Sequence, residues 1–271
     1  MDLSDDRPIG VFDSGFGGLT VARALIDLLP NEQIIYIGDS ARYPYGPRPA
    51  AEVRAFSVEI VEHLVNVEGV KMIVVACNTA SAFALDELRE RFEIPILGVI
   101  DPGLRSCARA TRNGVIGVIG TVGTIASGAY QNHARLMNIT TRVHCYACPG
   151  FVEFVERGEF DSDQVHVLAE RLLQPLIDVG VDTLLLGCTH YPFLARTIAD
   201  VMGREVLLIS SAEETAFDVR EMLKRTGLAR SERGAHTHRF LSSGDLEWFV
   251  EMGARLLGPE LDHAERAVFG H

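Results

Sequence analysis

Short apolar runs alternate with longer amphipathic runs along almost the whole chain. The short runs predict buried β-strands at Ile9–Phe12, Gln33–Ile37, Met72–Ala76, Ile96–Val99, Val115–Ile119, Thr141–Tyr146, Thr183–Leu186 and Glu205–Ile209. The longer runs have the period of helices and predict them at Leu19–Leu29, Pro49–Val67, Ala82–Phe92, Val165–Val179 and Glu213–Thr226. Strands that alternate with helices are typical of the α/β class, in which helices cover a parallel sheet.

Two segments of the chain repeat one pattern without a gap at an offset of 111 residues. GVKMIVVACNT (69–79) and GVDTLLLGCTH (180–190) each pass through three branched apolar residues and a small residue to a cysteine. A fainter match relates GVFDSGFGG to GVIGTVGTI (117–125). The repeat predicts two similar α/β halves. If the second is inserted into the first, the second domain covers residues 99–209 and the first covers residues 1–98 together with 210–271. The alternative is that any two buried strands look alike.

Composition and charge narrow the class of protein. Of the 271 residues, 47% are hydrophobic and 23% are charged, as in an ordinary globular protein. The formal net charge of −12 argues against a nucleic-acid partner, because proteins that bind phosphate backbones carry clustered Lys and Arg. The segment MDLSDDRPIG lacks the apolar core of a signal peptide, and we expect a cytoplasmic protein with no membrane partner. There the five cysteines would stay reduced.

Cys77 and Cys188 are the strongest candidates for chemistry, because each directly follows a predicted buried strand. Ligands of parallel sheets bind beyond the carboxyl ends of the strands. A strand-to-helix turn would also place each thiol near a helix N-terminus, which favours the thiolate. Two such thiols on opposite walls of a cleft could invert a stereocentre, one removing a proton and the other returning one. The alternative is that both are small buried core residues.

Two glycine- or proline-rich motifs are weaker candidates. FDSGFGGLTV follows the first strand but matches neither G-x-G-x-x-G nor the P-loop pattern. Its glycines, with Asp13 and Ser14, suit a tight turn whose backbone approaches a small polar ligand. YPYGPRP predicts a rigid loop after the second strand, with Tyr45 and Gly46 at its centre. Either motif could be a plain connector.

Two histidines lie near cysteines, at His190 and His144, and each allows more than one interpretation. His190 lies two residues after Cys188 and could orient or acidify a partner there. CYAC (145–148) follows His144 and could suggest zinc, but a single Cys-x-x-Cys pair is weak support for a metal with four ligands. We interpret CYAC as structural and expect no metal site.

Five segments in chain order carry a resemblance to a known family: VFDSGFGGLTV, YPYGPR, ACNTASA, CPGFVEFVE and LLGCTHYP. They closely resemble bacterial glutamate racemases, members of the cofactor-independent aspartate/glutamate racemase superfamily, from Pro8 to about Leu223. The resemblance implies two pseudo-symmetric parallel-sheet α/β domains with the active site in the cleft between them. It also implies interconversion of L- and D-glutamate for peptidoglycan synthesis, no cofactor, and a homodimer.

The resemblance further implies roles for individual residues. Cys77 and Cys188 match the two thiols that donate and accept the proton, and Asp13, Glu156 and His190 match residues that assist them. The positions that match substrate contacts are Asp13, Ser14, Tyr45, Gly46, Asn78, Thr79, Thr189 and His190. Two residues depart from the family pattern: Phe16 stands where a small aliphatic residue is usual, and Glu153 where proline is common.

The scarcity of lysine agrees with a route without cofactor, since pyridoxal phosphate needs a lysine Schiff base. We expect Lys71 at the end of its strand away from the proposed cleft, and Lys224 late in a surface helix. The sequence alone leaves three rival functions open. They are racemisation of aspartate or a hydantoin, a hydrolase or acyltransferase that uses Cys77 with His190, and a two-lobed binding protein without turnover.

Overall fold

The computed structural model describes residues 5–230 and 237–269 of the chain. The chain divides into two compact units, Met1–Val99 with Ala212–His271 and Ile100–Ser211. These boundaries lie one and two residues beyond those expected from the repeat. Within the described ranges, no helix has both the length and the apolar character that a membrane span requires.

The part of the chain that the structure describes contains ten β-strands, which form two sheets in which every pairing is parallel. The strands are β1 (Ile9–Asp13), β2 (Ile34–Gly38), β3 (Met72–Val75), β4 (Ile96–Gly98), β5 (Val115–Gly120), β6 (Arg142–Ala147), β7 (Thr183–Gly187), β8 (Leu207–Ile209), β9 (Arg239–Ser242) and β10 (Glu265–Arg266). The first unit has the strand order β10-β9-β2-β1-β3-β4, and the second has β6-β5-β7-β8. The expected α/β class with two parallel sheets is confirmed.

The described residues also form eleven α-helices. They are α1 (Leu19–Leu28), α2 (Ala50–Asn66), α3 (Asn78–Arg91), α4 (Ile100–Ala110), α5 (Val122–Ala126), α6 (Ala129–Leu136), α7 (Phe151–Glu156), α8 (Asp163–Asp178), α9 (Ala195–Met202), α10 (Ala212–Thr226) and α11 (Leu246–Leu257). Two short 3-10 helices cover Tyr191–Leu194 and Gly258–Glu260.

All eight predicted strands are present, with ends that differ by at most two residues, and the five predicted helices correspond to α1, α2, α3, α8 and α10. The largest error is at α3, which begins at Asn78 and not at Ala82. It begins early because the sulfur of Cys77 caps its N-terminus. Pro49, expected inside the first turn of α2, is the residue that precedes it. The pattern did not predict β9, β10, α4 to α7, α9 or α11.

The internal repeat is structural, because the matched segments occupy the same places in their own sheets. Gly10 of β1 lies opposite Ile73 of β3, and Gly117 of β5 lies opposite Leu184 of β7. The repeat aligns Ile73 with Leu184. A Cβ added to Gly10 would come 3.0 Å from Cδ1 of Ile73, and one added to Gly117 would come 2.9 Å from Cδ1 of Leu184. Both central pairings therefore use a glycine that leaves room for a branched neighbour.

The two lysines lie in opposite environments. Lys71 directly precedes β3, so it lies at the amino end of that strand, as expected. Its side chain is fully buried, with Nζ 2.6 Å from Oε2 of the equally buried Glu32. Lys224 lies in the last turn of α10 and forms an exposed pair with Glu221 at 3.0 Å. One ion pair is therefore part of the core, and the other is on the surface.

This contrast gives a stability prediction with an internal control. Lys71→Met should lower the free energy of unfolding by about 3–5 kcal/mol, because Glu32 would keep a buried charge without its counter-ion. Lys224→Met should change it very little, because water already solvates that pair. Urea denaturation of both variants measures the difference. Equal effects of the two substitutions would contradict the assignment of Lys71 to the core.

Candidate active site

Cys77 is held at the carboxyl edge of the first sheet by the pairing of β1 with β3. The backbone N–H of Ala76 donates to the carbonyl of Phe12 at 2.9 Å, which extends the ladder to the residue before the thiol. Cys77 then caps α3, and its sulfur accepts the backbone N–H of Ala80 at 3.4 Å. Its thiol is also 3.8 Å from Oγ of Ser14. An N–H donor and the N-terminus of a 14-residue helix both stabilise negative charge on this sulfur.

Asp13 organises the glycine-rich loop that follows β1. Its carboxylate is completely buried, and Oδ2 accepts the backbone N–H groups of Gly15 at 3.2 Å and Gly18 at 3.0 Å. The hydroxyl of Tyr36 donates to the carbonyl of Gly15 at 2.8 Å and holds the loop from the neighbouring strand. A Cβ at Gly18 would lie 2.5 Å from Cβ of Asp13, so a side chain there would disrupt the turn. Ser14 lies in this loop beside the thiol.

Tyr45 uses its side chain inside the protein. Its ring belongs to the same hydrophobic core cluster as Cys77, and only 1% of its surface is exposed. Its hydroxyl donates to Oδ2 of Asp39. Burial and the neighbouring carboxylate raise the pKa of Tyr45 well above its usual value, which keeps the hydroxyl a donor. The buried side chain is therefore engaged inside the protein, and a substrate contact at this position would have to come from the backbone of Tyr45 and Gly46.

Cys188 follows β7 in the second unit, but its surroundings differ from those of Cys77. Residues 188–190 form a turn, and the short 3-10 helix Tyr191–Leu194 comes next. The hydroxyl of Tyr191 donates to the carbonyl of Cys148 at 3.2 Å and ties this turn to the end of β6. The sequence predicted a helix N-terminus near both thiols. Cys77 directly caps the α-helix α3, whereas Cys188 is followed by a 3-10 helix, which carries Pro192 and separates the cysteine from α9.

His190 and Glu156 supply the polar partners of Cys188. Nδ1 of His190 is 3.9 Å from the sulfur of Cys188, and Nε2 is 2.8 Å from Oε1 of Glu156, the last residue of α7. Burial disfavours the charged imidazole and lowers the pKa of His190. Hydrogen bonds and electrostatic attraction to Cys188 and Glu156 outweigh burial, so that the pKa is raised to about 10. The imidazolium therefore lies between a sulfur and a carboxylate at neutral pH.

Two groups of candidate residues result, one in each unit. The Cys77 cluster comprises Asp13, Ser14 and Cys77, and the Cys188 cluster comprises Glu156, Cys188 and His190. The remaining predicted residues, Asn78, Thr79 and Thr189, are buried directly after their cysteines. The arrangement in each unit can stabilise a reactive sulfur and offer hydrogen-bond donors to a small anionic ligand.

Comparison with known proteins identifies the family of this chain. A profile of the Asp/Glu/hydantoin racemase family matches residues 9–216. The chain belongs to this family. Glutamate racemase from Beutenbergia cavernae is 52% identical over 97% of this chain and 94% of its own length.

Solved structures of glutamate racemases are also similar to this chain. Glutamate racemase isoform RacE1 from Bacillus anthracis has a TM-score of 0.90 at 43% identity, with 96% of each chain covered. Glutamate racemase from Francisella tularensis, in complex with D-glutamate, has a TM-score of 0.89 at 34% identity, with 97% of this chain and 98% of its own covered. The resemblance to glutamate racemases is therefore confirmed, and the chain is an isomerase of the racemase class.

The two departures from the family pattern have different surroundings in this racemase. Phe16 is completely buried in the glycine-rich loop, and its ring packs edge-on against Trp248 of α11 at 5.4 Å. The larger side chain is thus accommodated by a helix that the sequence pattern did not predict. Glu153 lies exposed in the first turn of α7, three residues from Glu156.

The other three cysteines of this racemase are weakly acidic thiols. Burial raises the pKa of Cys107, Cys145 and Cys148 to about 12 in each case. Nowhere in residues 5–230 and 237–269 do three or more His, Cys, Asp or Glu side chains come together in a way that could hold a metal ion. The high pKa values of Cys145 and Cys148 agree with the interpretation of CYAC as a structural segment.

Tyr36 and Asp39 support the candidate site but were not among its predicted residues. Tyr36 supports the glycine-rich loop from inside β2, and Asp39 receives the Tyr45 hydroxyl directly after that strand. The rule that singled out Cys77 could have found Asp39, since both follow the carboxyl end of a buried strand. No local signal marks Tyr36, because a tyrosine in a strand is more often part of the core.

The raised pKa of His190 predicts a specific pH dependence of stability. Folding raises it from 6.5 to about 10, so the folded state binds this proton more tightly than the unfolded chain. This contribution is fully present below about pH 6.5 and is lost as the pH rises towards 10. Urea denaturation between about pH 7 and pH 10 should therefore show a larger loss of stability for the wild type than for His190→Gln. Equal losses would contradict the assignment.

Proposed function

We propose that the protein interconverts L- and D-glutamate by a two-base proton transfer between Cys77 and Cys188. The product D-glutamate would supply peptidoglycan synthesis. The observation that carries the proposal is that two cysteines matched by an internal repeat each end a central strand beside a polar partner. The relatives named glutamate racemases support glutamate as the substrate.

In the proposed reaction one cysteine acts as a base in its thiolate form, while the other acts as an acid in its thiol form. Starting as a thiolate, Cys77 accepts the proton from Cα, so the Cα–H bond breaks and an S–H bond forms. The thiol of Cys188 then gives its proton to the opposite face of the carbanion, and a new Cα–H bond forms with inverted configuration. The roles of the two sulfurs exchange in the reverse direction. The carbanion requires hydrogen-bond donors that are already in place before the proton leaves.

The two sulfurs receive different assistance. On the Cys77 side, the N-terminus of α3 and the Ala80 N–H favour negative charge, and we assign Asp13 to assist this thiol. On the Cys188 side, the charged imidazole of His190 faces the sulfur, and Glu156 holds that imidazole in place. A positive neighbour can both stabilise a thiolate and return a proton to it.

Glutamate carries two carboxylates that the proposed site must bind. We assign this role to the backbone of Tyr45 and Gly46 and to side chains and backbone N–H groups of Ser14, Asn78, Thr79 and Thr189. Such donors bind carboxylates without many cations. Neither lysine lies beside the candidate residues of its unit, because Lys71 is paired with Glu32 at the amino end of β3 and Lys224 is on the surface. This supports a route that uses no lysine Schiff base.

Three expectations stay predictions alongside this proposal: insertion of residues 99–209 as a second domain, assembly as a homodimer, and a location in the cytoplasm. The aspartate and hydantoin activities, the cysteine hydrolase and the binding protein remain its rivals. Each rival differs from the proposal in a measurable way.

Single replacement of either reactive cysteine should abolish racemisation. We expect Cys77→Ser and Cys188→Ser each to lower kcat by at least about a thousandfold, because an alcohol is a far weaker acid than a thiol and does not ionise to provide the base. Each variant should still eliminate halide from a suitable glutamate analogue, which needs only one base. Circular dichroism of each enantiomer measures turnover. Cys145→Ser is the matched control, because this half-buried thiol lies on β6, and it should keep wild-type kcat.

The outcomes separate the rivals. If Cys188→Ser racemised at the wild-type rate, the two-base mechanism would be wrong. A trapped acyl-enzyme on Cys77, with Cys188 dispensable, would favour the hydrolase. Unchanged glutamate affinity in the double serine variant, with no wild-type turnover, would favour a binding protein.

Substrate identity is tested by comparing two amino acids in D₂O. We expect the wild type, with no added cofactor, to incorporate deuterium at Cα of both enantiomers of glutamate. Exchange into aspartate should be at least about a hundredfold slower in kcat/KM, since a shorter side chain leaves donors in the site unpaired. Equal exchange into aspartate would contradict glutamate as the specific substrate.

A further inference from the structure

The turn that follows β9 lies against the start of the loop that follows β2. β9 pairs with β2 in parallel, with Ser242 opposite Gly38, so both strands end at the same edge of the sheet. The backbone N–H of Ser243 donates to the carbonyl of Gly38 at 3.1 Å. A Cβ on Gly244 would come 2.9 Å from the backbone nitrogen of Ala41, which shows how closely the two segments approach.

Ser243 joins the two segments through its side chain. Its hydroxyl donates to Oδ1 of Asp39 at 2.7 Å and accepts the backbone N–H of Ala41 at 3.0 Å. Two neighbouring contacts reinforce this junction: Oγ of Ser40 accepts the N–H of Gly244 at 3.1 Å and lies 2.5 Å from Oγ of Ser242.

Asp39 connects this junction to the proposed substrate loop. Its carboxylate is completely buried. Oδ2 accepts Nε of Arg42 at 2.7 Å and the hydroxyl of Tyr45, while Oδ1 accepts Ser243. The backbone N–H of Asp39 donates to the carbonyl of Asp13 at 3.0 Å. One carboxylate thus joins the C-terminal turn to Tyr45, and its own backbone is joined to the first loop.

We propose that Ser243 is a positioning residue for the backbone of Tyr45 and Gly46, and that it acts through Asp39. The inference rests on the proposed function, which assigns this backbone to substrate binding. It gives a role to a segment that lies outside the 9–216 match to the racemase family. Without the Ser243 hydroxyl, Oδ1 of Asp39 loses a donor and the N–H of Ala41 loses its acceptor, so the carboxylate that holds Tyr45 is less firmly oriented.

The hydrogen-bond network predicts that loss of the Ser243 hydroxyl affects substrate binding and leaves the chemical step nearly unchanged. The sulfur of Cys77 is held by β3 and the first turn of α3, and neither contact passes through Ser243. A displaced loop should weaken binding of substrate and transition state alike, which raises KM and leaves kcat nearly unchanged.

The test is steady-state racemisation by Ser243→Ala with matched controls. We expect KM for both enantiomers to rise roughly tenfold, with kcat within about twofold of the wild type. Ser57→Ala removes another buried hydroxyl of the same unit, one that donates to the Val53 carbonyl at 2.7 Å inside α2, and KM should be unchanged. Ser243→Thr keeps the hydroxyl and should restore KM. Thermal unfolding of each variant measures any general loss of stability.

A double variant tests the route through Asp39. Tyr45→Phe removes the other hydroxyl on this carboxylate and should also raise KM. If the hydroxyls of Ser243 and Tyr45 both act through the Asp39 carboxylate, the combined variant should raise KM by much less than the product of the two single effects. Independent, multiplicative effects would overturn the proposed route.

Failure of this inference is distinguishable from failure of the proposed function. An unchanged KM in Ser243→Ala, an equal rise in Ser57→Ala, or a fall in kcat at constant KM would overturn the positioning role while wild-type turnover stands. If the wild type does not racemise glutamate, the proposed function fails. Calorimetric binding of D-glutamate to wild type and Ser243→Ala then decides the positioning role, and equal affinities would overturn it.

Discussion

Parallel pairing of the central strands is the constraint on which both cysteine clusters depend. Because β1 and β3 run in the same direction and in fixed register, the loop of Asp13 and the thiol of Cys77 emerge at one edge. The pairing of β5 with β7 does the same for Cys188. Gly10 and Gly117 help to fix these registers, since a larger residue would clash with the facing branched side chain. A slip of one residue would turn every side chain of a strand to the other face.

The same strand pattern leads to two different surroundings for sulfur. In the first unit the cysteine begins an α-helix, and backbone dipoles act on it directly. In the second unit a turn and a 3-10 helix replace that α-helix, and an imidazole paired with a carboxylate takes its place. The internal repeat therefore extends through the strand and the thiol, while the means of stabilising charge differs on each side.

The sequence allowed prediction of the sheets because β1, β2, β3, β5 and β7 are buried along their whole length and read as continuous apolar runs. β9 and β10 escaped because their sequences, RFLS and ER, do not form apolar runs. α4 escaped because its first turn contains Asp101, Pro102 and Gly103, which usually indicate a turn. The contact between Asp39 and Ser243 joins residues 204 positions apart, so no local pattern could indicate it. The cysteines were found because their polar neighbours follow them directly in the chain.

The packing of Phe16 on Trp248 has a consequence for observing the protein. The chain contains one tryptophan, and that residue touches the loop that carries Asp13 and Ser14. Tryptophan fluorescence of this protein therefore comes from one side chain beside the glycine-rich turn. Rearrangement of that turn alters the emission of one known ring, which makes the unlabelled protein its own optical reporter for this loop.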